Sequence, residues 1–174
     1  MTYEVDLLDG FSRLVVTISP QARQVITRTL AELGEYRLNS GYETGGWLLG
    51  LPNVRAVPPR VEASLATDFG SGHSEGPGGG AFLDLDQTDE AERSSGRLVC
   101  GSWHNHPDSR SWPVPSSADL VQWASIVKVN RLSAAAGVIA TASAGGGWTV
   151  PLLCAWGVGR DASGRMTCQR ATVA

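Results

Sequence analysis

A chain of 174 residues, 42% hydrophobic and 18% charged, has the composition of an ordinary globular domain with a core of its own, not of a disordered segment. Its net charge of −3, with cations scattered and no basic run, excludes a general electrostatic attraction to nucleic acid or to an anionic membrane. Three widely separated cysteines, Cys100, Cys154 and Cys168, suggest neither a disulfide framework nor a cysteine-rich zinc site. MTYEVDLLDG carries no basic-then-apolar leader pattern and no apolar run nears membrane length, so one cytoplasmic domain over residues 1–174 is expected.

In chain order, RLVVTIS (13–19) alternates as a strand does. Ser19-Pro20 then reads as a helix cap with proline at the first helical position, where its missing N–H costs nothing. Ala22, Val25, Ile26, Leu30 and Leu33 follow at helical spacing and predict a helix to about Leu38. GYETGGWLLGL (41–51) and VEASLATDF (61–69) read as strands, and GSGHSEGPGGG (70–80) as a loop by its glycine content. AFLDLD (81–86) reads as a half-exposed strand and TDEAERSSG (88–96) as a short helix.

RLVCGSWHNH (97–106) is expected to be a central strand and SSADLVQWASIVKVNRL (116–132) a helix with a cap signal. AAGVIAT (135–141) and WTVPLLCAWGV (148–158) form a hairpin around a glycine-rich turn, and RMTCQRATV (165–173) is placed at a sheet edge. Strands outnumber helices. The pattern suggests an α/β or α+β domain, a mixed sheet with helices packed on it.

The chemistry concentrates in GSWHNHPDSRSWPVPSSADL (101–120). On a strand, residues two apart share a face, so His104 and His106 aim at one point from a rigid element. Neutral imidazole binds zinc at about 2.0–2.1 Å, which makes HxH a two-ligand fragment. Pro107 turns the chain away. Ser116-x-x-Asp119 has the spacing of a capping box, and helical side chains lean toward the N-terminus, so Asp119 can reach the space the histidines face. Two histidines and a carboxylate leave a fourth position open, the form of a catalytic rather than a structural zinc site, although Asp108 offers an alternative fourth donor. Hydrolysis also needs a proton carrier, and Glu43 in ETGGWLLG is the candidate, beside glycines that would let a substrate strand approach.

Glu43 with GGWLLG, then His104-x-His106-Pro107, then Ser116-x-x-Asp119, resembles the motif of the JAMM (JAB/MPN) metallopeptidases, in that family's order and over about residues 13 to 141. The stretch from W-H-x-H-P to P-S-x-x-D-L is similar to bacterial members that act beside ubiquitin-like or sulfur-carrier proteins. The resemblance implies a cytidine-deaminase-like mixed β-sheet flanked by helices, a JAB/MPN domain. His104, His106 and Asp119 would then hold Zn²⁺, Glu43 would be general base and then general acid, and Ser116 would donate to the oxyanion. The substrate would be the C-terminal Gly-Gly tail of a ubiquitin-like or sulfur-carrier protein, held by β-addition and cut at a peptide or isopeptide bond. The loop between Pro107 and Ser116, eight residues over 108–115, is longer than is common in that family. Arg110 and Trp112 in it are candidate substrate contacts.

His73, in the glycine-rich loop, is read as a loop histidine without a role. The competing function is a non-catalytic MPN-type scaffold that binds a ubiquitin-like partner; retention of Glu43, both histidines, Ser116 and Asp119 argues against it. The HxE with a cysteine pair of zinc deaminases and the HExxH of zincins are both absent. Oligomeric state leaves no mark on the sequence.

Overall fold

The computed structural model describes residues 6–53, 60–68, 74–76, 79–82, 88–106, 113–143, 147–161 and 163–174. Its strands are β1 (Asp6–Ile18), β2 (Gly45–Asn53), β3 (Arg60–Ala66), β4 (Ser74–Gly76), β5 (Gly79–Phe82), β6 (Leu98–Asn105), β7 (Ala134–Thr141), β8 (Leu152–Arg160) and β9 (Met166–Val173). Seven of these close into a barrel in the order β1-β3-β2-β6-β7-β8-β9, and β9 returns to β1 through a parallel pairing from Asp6–Thr167 to Val16–Val173.

This closure corrects the expected fold, a helix-flanked cytidine-deaminase-like sheet of the JAB/MPN kind. The described strands form a ring. Met166–Val173, expected at an edge, lies between β8 and β1 and hydrogen-bonds to both. Closing the ring gives the outermost strands of the chain partners for their N–H and C=O groups, which an open sheet would leave to solvent.

The helices are α1 (Pro20–Leu33), α2 (Glu35–Asn39), α3 (Thr88–Ser95) and α4 (Ser117–Val129). Ser19 caps α1 as expected, its Oγ accepting from the Ala22 N–H at 3.0 Å. The single helix expected to Leu38 is split at Gly34, whose φ of +82° lies outside helical space. The 70–80 stretch also departs from its reading. β4, inside it, pairs antiparallel with β5, which runs on to Phe82, because ladder hydrogen bonds need only backbone. His73, Pro107, Asp108, Arg110, Trp112 and the turn at 144–146 lie outside the described residues.

Apolar side chains collect on two faces of the barrel wall. One cluster takes in Ile26 and Leu30 of α1 with Val16, Val61, Trp103 and Val138. The other takes in Trp123, Ile126 and Val127 of α4 with Trp47, Ile139, Trp156 and Val158. β7 has no exposed residue, as a strand covered on both faces requires. α4 lies so close to β7 that a Cβ on Gly137 would come within 2.1 Å of the Trp123 indole. That packing fixes α4 over the face carrying Ser102 and His104. The Trp123 indole N–H donates to Ser102 Oγ at 3.0 Å, and Ser102 Oγ donates to Gln122 Oε1 at 3.0 Å. Among the described residues, no helix is long and apolar enough to cross a membrane.

Candidate metal centre

β6 ends its ladder with His104 paired to Ile139 and Asn105 to Ala140, and the His106 N–H still donates to the Ala140 carbonyl at 2.9 Å. Strand geometry therefore extends through His106 and holds both imidazoles on the α4 side. Asp119 arrives from the first turn of α4. Ser116 Oγ accepts from the Asp119 N–H at 3.2 Å, and Asp119 Oδ2 accepts from the Ser116 N–H at 2.6 Å, the capping box expected from the spacing.

The three side chains converge. His104 Nε2 lies 3.0 Å from His106 Nε2 and 3.2 Å from Asp119 Oδ1, while His106 Nε2 lies 3.7 Å from Asp119 Oδ2. One donor atom from each residue falls within 4.8 Å of the others. Ligand bonds of about 2.0–2.1 Å in a tetrahedron put neighbouring donor atoms roughly 3.3 Å apart, and the observed separations bracket that value. The donor set fits Zn²⁺ in chemistry and in spacing.

Burial favours the same use. It holds His104 down to about 4, against the opposing pull of the Asp119 carboxylate and with a smaller contribution from His106. Burial also lowers His106, again opposed by Asp119. Neutral imidazole is the form that offers a lone pair to a metal. The His104 side chain is 7% exposed and that of His106 22%, so the cluster opens to solvent on the His106 side.

Glu43 is half-buried and is not among the three clustered residues. Gly45 pairs with His104, and the Asn105 N–H donates to the Thr44 carbonyl at 3.0 Å. Glu43 itself precedes β2, one residue before the Thr44 whose N–H the Asn105 side chain holds. Ser116 is exposed at the start of α4. Its oxygen accepts the capping bond, and among the described residues its hydroxyl proton is given to no protein acceptor.

One expectation changes. Gly45 and Gly46 do not make room for a substrate strand, because the chain's own backbone fills that space. A Cβ on Gly46 would lie 2.0 Å from the Thr67 carbonyl oxygen, and one on Gly45 2.4 Å from that of Trp103. β2 moreover carries β3 on one edge and β6 on the other. Trp123 lies beside the site, its ring 6.4 Å from that of His104, and Trp103 packs on the opposite face and donates to the Thr67 carbonyl at 2.8 Å.

Sequence reasoning also passed over Asn105 and Thr141. Asn105, between the two histidines, is fully buried and bonded to the Glu43 segment. Thr141, next in parallel register to His106, is fully buried, and among the described residues its hydroxyl has no hydrogen-bond partner. The signal for Asn105 was its place in H-N-H; nothing in the sequence marks Thr141.

Fold and site together describe a mixed seven-stranded barrel with a two-histidine, one-aspartate cluster at the end of β6. No family model matches the chain, and no curated protein matches it. Among solved structures it is similar to the solution structure of a protein from Salinibacter ruber (strain DSM 13855), at 18% identity over 91% of this chain and 90% of that one, with a TM-score of 0.45.

Proposed function

We propose that the protein is a zinc-dependent metallopeptidase or isopeptidase that cuts at or after the C-terminal Gly-Gly tail of a ubiquitin-like or sulfur-carrier protein. The observation that carries the catalytic half is the convergence of His104, His106 and Asp119, with Glu43 on the segment tethered to Asn105 between the two histidines. The substrate half rests on the JAMM-like order of Glu43, HxHP and SxxD alone. A cytoplasmic setting belongs to the same reading and is supported by three unpaired, buried thiols.

Zn²⁺ held by His104, His106 and Asp119 would supply Lewis acidity, polarising the scissile carbonyl and acidifying a water. Glu43 takes a proton from the attacking water as its oxygen bonds to the carbonyl carbon. The Ser116 hydroxyl donates to the oxygen that becomes negative. Glu43 then returns the proton to the departing amine nitrogen as the C–N bond breaks, leaving a carboxylate and an amine. His104, sealed from water, fixes the geometry, and the open His106 side admits the tail. The tail's ladder partner on this reading is not β2, both of whose edges are taken.

The test is zinc content together with cleavage of a carrier protein fused after its Gly-Gly. Purified protein is expected to hold about one zinc per chain. Glu43→Ala should keep the metal and lose roughly a hundredfold or more in turnover. A zinc-free protein whose Glu43→Ala variant behaves as the parent overturns the reading in favour of a binding module. Loss of zinc from Glu43→Ala would contradict the role given to Glu43.

A further inference from the structure

The side chain of Asn105 lies between two ligand histidines in sequence but points away from them, since neighbouring strand residues face opposite sides. It is fully buried and spends its hydrogen bonds on one short segment. Asn105 Oδ1 accepts from the Thr44 N–H at 2.5 Å, and Asn105 Nδ2 donates to the Tyr42 carbonyl at 3.0 Å. Those two groups belong to the peptide units on either side of Glu43. One rigid amide therefore holds both peptide planes that flank the Glu43 Cα, and the backbone bond from the Asn105 N–H to the Thr44 carbonyl holds the next one, between Thr44 and Gly45.

We infer that Asn105 is a positioning residue, which fixes the backbone of Glu43 and so aims the proposed base at the space in front of His104 and His106. The inference rests on the catalytic reading of Glu43. Glu43 lies ahead of β2, and the Asn105 bonds hold the backbone on both sides of it. A proton carrier misplaced by about 1 Å loses most of its value to a reaction. The same strand then delivers the two metal ligands on one face and the tether for the base on the other, so ligands and base keep a fixed relation.

The experiment uses the full chain with zinc bound and the carrier fusion as substrate. Asn105→Ala is expected to keep its zinc, lower kcat by about 10–100-fold and leave KM within about twofold. Thr44 amide exchange should quicken while β6 and β7 stay protected, a readout independent of turnover. In the Glu43→Ala background, Asn105→Ala should cause no further loss, because its effect passes through Glu43. A merely structural role would lower turnover in both backgrounds.

Asn105→Asp, which keeps an acceptor for the Thr44 N–H, should show a smaller change in the same direction and serves if the alanine variant does not fold. Unchanged kcat in both variants, loss of zinc, or full additivity with Glu43→Ala overturns the inference. If Glu43→Ala itself leaves turnover intact, the general-base reading fails instead, and the two failures are distinguishable.

Discussion

Asp119 has two duties that can be separated chemically. Its carboxylate closes the capping box of α4 through the Ser116 N–H, and it faces both imidazoles. Asparagine retains a carbonyl oxygen for the first duty but no charge for the second. Asp119→Asn is expected to melt near the parent without metal, yet to bind zinc roughly tenfold or more weakly. Asp119→Ala should in addition lose about 1 kcal/mol of metal-free stability with its capping bond. Thermal melts and competition against a chromophoric chelator give both numbers; equal zinc affinity in Asp119→Asn would remove it from the ligand set. At this scale His104, His106, Ser116 and Asp119 were legible, because strand alternation and helix capping are local rules. Asn105 was not, because its partners at Tyr42 and Thr44 are remote in sequence and only the fold brings them near.

At the scale of elements, the site depends on how α4 sits on β7. Trp123 lies flat enough on Gly137 that no side chain fits between them. Gly137→Ala is expected to cost about 1–3 kcal/mol by overpacking and to shift α4, carrying Asp119 away from the histidines of β6. Urea unfolding should show the first effect and zinc titration the second; a destabilised variant with unchanged zinc affinity would mean that α4 adjusts without moving its first turn. β6 and α4 were readable from apolar pattern and cap signal. The division of α1 from α2 at Gly34 was not, since apolar spacing continued through a residue whose backbone leaves the helix.

At the scale of the molecule, closure joins the first strand to the last. Pairing of β1 with β9 lies beyond any local spacing, which is why an open sheet with β9 at its edge was expected. A chain ending at residue 165 should lose the cooperative thermal transition of the parent, because β1 and β8 would each be left with an unpaired edge. A sharp transition retained near the parent temperature would show that closure is dispensable.

The barrel also keeps its thiols from ionising. Burial pushes Cys100 to about 12 and Cys154 to about 11, above the ordinary 9.0. A pKa raised by folding gives stability that is complete below pH 9, where the unfolded thiol is still protonated, and that fades as pH rises through 11 to 12. Between those limits each thiol should contribute a loss of about 1.4 kcal/mol per pH unit. Urea midpoints at pH 8.5 and 10.5 should therefore fall less in Cys100→Ala/Cys154→Ala than in the parent; equal slopes would refute the assignment.

Strand direction has one further consequence. β1, β3, β6, β7 and β9 run one way, and β2 and β8 the other. Ala174, which donates to the Val16 carbonyl and accepts from the Ile18 N–H, thus leaves the ring at the rim where β6 presents His104 and His106. A polyhistidine purification tag fused after Ala174 is tethered on the rim of the His104, His106 and Asp119 cluster and would itself take up zinc in the proposed metal count. One placed ahead of Asp6 starts from the opposite rim.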